Sequence, residues 1–136
     1  EDVNTFENSL IKENTILIKL YFSVSKKTQF ERFKQREDNP LKHWKLSKID
    51  LQAQELWEQF SEKKLSMLKN TSTKTEPWIV IKSNDKSVAT MESMKIILNS
   101  IKYPDKNKNL DFILDKKNVF DSKEEIKNMK NKNYID

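Results

Sequence analysis

Four cations stand close together in one short stretch of the chain. Arg32 and Arg36 are four residues apart, so a helix would place both guanidinium groups on one face. Lys42 and Lys45 follow on either side of Trp44. Planar guanidinium groups and compact ammonium groups both bind phosphate oxygens. The stretch therefore predicts a site for a polyanionic ligand that carries phosphate groups.

Turn and capping residues predict the elements that hold these cations. Asn39 precedes a proline, which disfavours the α region, so the first helix should end near this point. Ser47 lies three residues before Asp50 and is typical of the N-cap of a following helix. The cations are therefore predicted to lie on a mobile connection between two helices.

Hydrophobic periodicity predicts an α/β fold. We expect strands over residues 15–24 and 77–81, and helices over residues 3–12, 26–36, 48–69 and 86–102. Both faces of the first predicted strand are largely apolar, which is typical of a parallel strand covered on both sides. Asn14 is expected to adopt a left-handed conformation at the end of the first helix. Trp57 and Phe60 are interpreted as core residues, and Lys64 as a break in the apolar face of its helix.

Composition limits the chemistry that the 136 residues support. The net charge of +5 favours an anionic partner without naming one. The chain has no cysteine, and its only histidine, His43, has no neighbours at a spacing that suits a metal or a nucleophile, so we expect no metal ligand here. No apolar run approaches the ~18 residues of a membrane span, and we expect a cytoplasmic protein without membrane contact.

Glycine is absent from the sequence, whereas average usage would predict roughly nine. A Walker A loop needs glycines so that its backbone N–H groups can surround phosphates. We therefore expect this chain to contain no P-loop of the usual kind.

The basic stretch resembles the lid of the polyphosphate kinase 2 family, and the resemblance covers roughly residues 6–103. It depends on the order and spacing of Gln29, Arg32, Phe33, Arg36, Asp38, Pro40, Leu41, Lys42, Trp44, Lys45, Ser47, Asp50, Trp57, Thr73, Pro77, Trp78, Asn84, Asp85 and Lys86. Members of this family are P-loop kinases that move phosphoryl groups between polyphosphate and nucleotides. The sequence departs from the family at Asn14, where glycine is usual, and near Thr90, where arginine is common.

The resemblance implies part of a three-layer α/β/α P-loop kinase fold, with parallel strands and a helical lid over about residues 32–69. Residues 1–103 would be the C-terminal part of the kinase-like domain, and residues 104–136 a polar, Lys- and Asn-rich tail. That tail is expected to be loosely held, with short helices over residues 109–115 and 122–131. The N-terminal half would carry the P-loop, the catalytic aspartates and Mg²⁺. We therefore assign no catalytic residue here and expect this segment to be inactive by itself.

The same resemblance implies roles for two groups of residues. Arg32, Arg36, Lys42 and Lys45 would clamp phosphates on a closing lid, with Asp38 orienting Arg36 or Lys42. Asn84, Asp85 and Lys86, at a predicted strand–helix junction, would lie near the nucleotide, although simple helix capping by Asn84 or Asp85 is an alternative. The implied partners are inorganic polyphosphate, ADP/ATP or a related nucleotide, the N-terminal half of the enzyme and further copies in a homo-oligomer.

Two other interpretations stay open. The chain could be a non-catalytic basic module that binds nucleic acid or another polyanion through charge alone. It could also be a remnant that has lost kinase function and serves in subunit interaction. Strands with two apolar faces are poorly explained by a purely helical polyanion binder.

Overall fold

The computed structural model describes residues 2–107 and 109–131, and the fold is mixed α/β. In chain order its elements are helix α1 (Asp2–Lys12), strand β1 (Lys19–Ser23), helix α2 (Lys26–Glu37), a 3₁₀ helix (Pro40–Lys45), α3 (Lys48–Gln52), α4 (Trp57–Thr71), β2 (Trp78–Lys82), α5 (Lys86–Ser100), β3 (Val119–Asp121) and α6 (Ser122–Asn131).

The three strands form one sheet in the order β1-β2-β3. β1 and β2 are parallel, with Lys19 opposite Trp78 and Ser23 opposite Lys82. β3 pairs with β2 in the antiparallel direction. Because parallel strands end at the same edge, the carboxyl ends of β1 and β2 lie side by side, and this edge is where ligands bind in open α/β sheets.

Apolar side chains cover β2 on both faces. On one face Val80 packs with Leu68 of α4 and Phe120 of β3, and on the other Ile81 packs with Ala89 and Ile96 of α5. Helices α4 and α6 therefore form one outer layer, and α5 forms the other. The expected α/β fold class with three layers is confirmed.

Several local predictions are confirmed because they depend on neighbouring residues only. Asn14 has a φ of 61°. Ser47 and Asp50 form a reciprocal capping box at the start of α3.

The predicted helix over residues 48–69 is wrong in its continuity, because the chain turns between α3 and α4. The Gln54 side chain donates to the Lys26 carbonyl at 3.3 Å and to the Gln29 side-chain oxygen at 2.8 Å. These contacts hold the turn against α2. Helical periodicity in the sequence does not predict a tertiary contact of this kind. The first strand is also shorter than predicted, since its ladder begins only at Lys19.

The prediction of a loosely held tail is wrong for residues 119–131, which form β3 and α6. Residues 109–115 do not form the predicted helix, whereas the one predicted over residues 122–131 is confirmed. The polar composition concealed Phe120, which is buried at 8% exposure in the core of the sheet. Residues 132–136 of the predicted tail lie outside the described part of the chain, and the division of the chain at residue 103 stays a prediction.

Phe120→Ala is expected to lower the free energy of unfolding by about 3–5 kcal/mol, because it removes a ring packed against Leu68 and Val80. Leu110→Ala, at a residue that is 58% exposed, is the matched control and should change stability by less than about 0.5 kcal/mol. Urea unfolding of both variants measures the difference. Equal, small effects would contradict a core role for β3.

Candidate functional site

A cleft of about 890 Å³ opens at the carboxyl ends of β1 and β2. Its apolar wall includes Phe33, Trp57 and Phe60, and its polar wall includes Ser23, Lys64 and Asn84. Helices α2 and α4 supply one side, and α6 supplies another. The cleft thus lies where an α/β sheet presents strand ends and helix surfaces to a ligand.

The assignment of Trp57 and Phe60 to the core is wrong. Both residues line the cleft, and Phe60 is 48% exposed. Periodicity placed them correctly on one face of α4, but it does not reveal whether that face meets a sheet or a cavity.

Lys64 is the buried cation of the cleft. Its ammonium donates to the Ser23 hydroxyl at 2.9 Å, forms an ion pair with the Glu125 carboxylate and lies 5.0 Å from the centroid of the Tyr21 ring. The side chains of Lys64 and Glu125 are only 11% and 12% exposed. Sequence reasoning did not predict this contact between Lys64 and Glu125. The one sequence feature that could have indicated it is a lysine on an otherwise apolar helix face.

The polar face of β1 explains how this group is assembled. Alternate residues of a strand share a face, and Lys19, Tyr21 and Ser23 all lie on the α4 side. Lys19 is satisfied by the Glu7 carboxylate at 2.7 Å and the Thr71 carbonyl at 2.5 Å. Tyr21 and Ser23 instead contact Lys64 at the cleft. Burial raises the pKa of the Tyr21 phenol, and the negative charge of Glu125 raises it further.

Arg32 links α2 to the junction between β2 and α5, which contains Asn84, Asp85 and Lys86. Its Nη2 donates to the carbonyls of Ser83 at 2.5 Å and Asn84 at 2.9 Å. The guanidinium of this α2 residue is therefore held at the carboxyl end of β2, next to the junction that was predicted to lie near a nucleotide.

Arg36 organises the 3₁₀ helix. Its Nη1 donates to the Lys45 carbonyl at 3.2 Å and lies 4.0 Å from a carboxylate oxygen of Asp50. The guanidinium also lies 5.5 Å from the Phe33 ring centroid. The carboxylate placed beside Arg36 is thus that of Asp50, whereas sequence reasoning had named Asp38.

Lys42 and Lys45 are exposed on the 3₁₀ helix. The Lys45 ammonium lies 4.9 Å from the Trp44 ring centroid, and the indole N–H donates to the Leu41 carbonyl at 3.0 Å. Trp44 is 79% exposed and presents its ring to solvent. Among the described residues that line the cleft, none of the four predicted lid cations appears.

The junction residues divide into two kinds. Asn84 lines the cleft, and its side-chain oxygen accepts from the Ser25 N–H at 2.9 Å, which ties the ends of β1 and β2 together. Asp85 caps α5 by accepting from the Ser87 and Val88 N–H groups at 2.8 and 3.1 Å. Lys86 is exposed in the first turn of α5. The contacts of Asp85 are therefore those of a helix cap, which was the alternative to a role near the nucleotide.

Within residues 2–107 and 109–131, no three His, Cys, Asp or Glu side chains converge to hold a metal ion. The described residues therefore offer no metal site built from protein side chains alone. In the same part of the chain, no helix combines the length and apolarity that crossing a membrane would require.

The chain is thus an α/β protein with parallel strands joined by a basic, partly 3₁₀-helical crossover and a cleft at the strand ends. The sequence profile of the family Polyphosphate kinase 2 matches residues 1–109. The chain therefore belongs to the polyphosphate kinase 2 family, and the predicted resemblance to that family is confirmed.

Known proteins support the same assignment. The chain is 41% identical to a GDP-polyphosphate phosphotransferase of Pseudomonas aeruginosa, over 76% of this chain and 29% of that protein. It is 42% identical to NDP-polyphosphate phosphotransferase 2 of Ruegeria pomeroyi, over 76% of this chain and 30% of that protein. The crystal structure of polyphosphate kinase 2 from Arthrobacter aurescens superposes with a TM-score of 0.70 at 28% identity, covering 80% of this chain and 41% of that one.

The raised pKa of Tyr21 predicts a pH effect on stability. The unfolded chain releases the phenolic proton near the ordinary value of 10.0, whereas the folded chain releases it at higher pH. The folded state thus binds more protons above about pH 10, and stability should fall as pH rises through that range. Tyr21→Phe should remove this part of the fall.

The measurement is urea unfolding of the parent and Tyr21→Phe on both sides of pH 10, with tyrosinate absorbance recorded in parallel. In a Glu125→Gln background the Tyr21 pKa should decrease but stay raised, because burial is the larger cause. A Tyr21 titration that is unaffected by Glu125→Gln would contradict the effect of the Glu125 charge on the Tyr21 pKa.

Proposed function

We propose that the protein containing this chain transfers phosphoryl groups between inorganic polyphosphate and nucleotides of the ADP/ATP type. The observation that carries the proposal is the family match over residues 1–109, which includes the lid and both parallel strands. The chain spans 29% and 30% of the two curated relatives described above. The proposal therefore concerns the whole protein, in which these residues supply the lid.

The residue types indicate which catalytic parts this segment lacks. A sequence without glycine offers no Walker A loop, and the described residues offer no metal site built from protein side chains alone. We assign the P-loop, the catalytic aspartates and Mg²⁺ to an N-terminal half outside this sequence. On this proposal the present segment has no turnover by itself.

The lid would act through charge and the exclusion of water. In phosphoryl transfer, charge spreads over the transferred oxygens, and catalysis depends mainly on positioning and electrostatic stabilisation. Arg36, Lys42 and Lys45 lie on or beside the 3₁₀ helix, and a closing lid would bring them over bound phosphates. Arg32, held at the carboxyl end of β2, would bind phosphate at the base of the lid.

The remaining assignments support the same function. Asn84 at the cleft and Lys86 at the start of α5 would lie near the nucleotide, with Asp85 holding the helix terminus in place. Met91 and Met94 are exposed on α5, and a surface of this kind is buried when copies assemble, so we propose a homo-oligomer. Because its proposed substrates include nucleotides, we place the protein in the cytoplasm.

Arg36→Ala and Lys42→Ala are expected to lower kcat/KM for polyphosphate by roughly 10- to 100-fold, because each removes a cation from the lid. The measurement is a coupled assay of ATP formation from ADP, Mg²⁺ and polyphosphate in the full-length protein, whose intact mass is recorded first. Lys116→Ala removes an exposed lysine outside the lid and is the matched charge control. Parent-like activity in both lid variants would overturn the proposed role of the lid.

A second candidate function is binding of nucleic acid or another polyanion without catalysis. The net charge of +5 and the exposed Lys42 and Lys45 favour it. It predicts an intact native mass of 16.3 kDa, no turnover, and binding that weakens steeply with salt without selecting nucleotides. A larger protein with nucleotide-selective turnover would exclude this alternative.

A further inference from the structure

Helix α6 brings acidic residues into a cleft that is proposed to receive phosphate groups. The helix spans Ser122–Asn131 and therefore lies beyond residues 1–109, which match the family. Glu124, Glu125 and Asn128 all line the cleft. Carboxylates on the wall of such a site oppose an anionic ligand unless cations neutralise them.

The charge of Glu125 is neutralised by Lys64, and the carboxylate lies at the edge of the sheet where a ligand would bind. Its carboxylate forms an ion pair with the Lys64 ammonium, and that ammonium also donates to the Ser23 hydroxyl at 2.9 Å. Ser23 is the last residue of β1, at the edge of the sheet where phosphates bind in related folds. A carboxylate therefore occupies a place that offers an ammonium and a hydroxyl to an anion.

Packing holds α6 in this place. Ile126 and Met129 contact the cluster of Leu68, Val80 and Phe120, and the hydroxyls of Ser72 and Ser122 are 2.7 Å apart. Because these contacts do not involve Glu125, the helix can stay docked while the Glu125 side chain rotates away from Lys64.

We propose that Lys64 and Ser23 form an anion subsite for a phosphate group, and that Glu125 is a built-in competitor for it. A phosphate entering the cleft takes the place of the Glu125 carboxylate on Lys64. The subsite depends on the proposed function for the source of its ligand, which is either a polyphosphate chain or a nucleotide. Helix α6 thereby weakens the affinity of the cleft for phosphate.

Glu125→Gln tests the competition. Glutamine keeps the size of the side chain and an oxygen for Lys64, but it removes the competing charge. Binding of tripolyphosphate to the full-length protein, measured by calorimetry at one fixed ionic strength, should tighten by about tenfold. ADP is titrated in parallel, and a gain for only one of the two ligands identifies which one uses the subsite.

Glu124→Gln is the matched control, because it changes the net charge equally, on the adjacent residue of the same helix and cleft. It should alter affinity by less than about twofold, because Glu124 is exposed and solvent screens its charge. Lys64→Met should weaken binding, and Glu125→Gln should give no gain in the Lys64→Met background. If Glu125→Gln fails to fold, Glu125→Asp replaces it, since its shorter side chain withdraws the carboxylate and should also tighten binding.

Equal effects of Glu125→Gln and Glu124→Gln, or unchanged binding in Lys64→Met, would overturn the subsite. Because the readout is binding, it is independent of turnover. Loss of turnover in the lid variants with no specific Glu125 effect refutes this inference alone. A Glu125-specific gain in a protein without turnover refutes the proposed phosphotransfer and supports the subsite. The absence of binding to both ligands in every protein refutes both.

Discussion

The parallel pairing of β1 with β2 is the constraint on which the other features depend. Parallel neighbours cannot be joined by a tight turn, so the chain must cross over between them with a long connection. Here that connection contains α2, the 3₁₀ helix, α3 and α4. It leaves the sheet at the carboxyl end of β1 and reaches the opposite edge, where β2 begins. The first helix of the crossover therefore starts beside the carboxyl ends of both strands, and Arg32 of this helix contacts the end of β2.

Sequence reasoning succeeded where the physics is local. The left-handed Asn14, the Ser47–Asp50 capping box and the cap at Asp85 each depend on a side chain and the nearest backbone groups. The class of the fold also followed, because apolar strands alternating with amphipathic helices leave few other arrangements. The family assignment came from the order and spacing of residues across the predicted lid and the strand–helix junction, which periodicity alone would not have supplied.

The failures share a different physical origin. Phe60 was placed on the correct face of α4, but whether that face meets a core or a cleft depends on elements far along the chain. Phe120 was assigned to a polar tail because composition gives no information about strand pairing. The three-residue strand that contains it gains its stability from pairing with β2. Lys64 was seen as an interruption, whereas its partner Glu125 lies 61 residues away.

The net charge does not show that some cations of the chain are exposed and others are paired with carboxylates. The predicted lid cations Lys42 and Lys45 are exposed, whereas Lys64 in the cleft is already paired with a carboxylate. A buried ion pair contributes little net stability, because desolvation of both groups offsets their attraction. The Lys64–Glu125 pair is therefore better explained by the position in which it holds an ammonium than by the stability that it adds.

The contacts of the crossover also explain how the basic segment is attached to the fold. Arg32 binds strand-end carbonyls, and Gln54 binds α2, so both ends of the segment are tied to the body of the fold. Between these ends, Arg36 of α2 contacts the Lys45 carbonyl and lies 4.0 Å from the Asp50 carboxylate. The 3₁₀ helix and α3 are therefore held to α2 by a side chain in the middle of the segment as well as at its ends. Because α2 is itself fixed to the end of β2 through Arg32, the position of Lys42 and Lys45 depends on the same strand edge as the cleft.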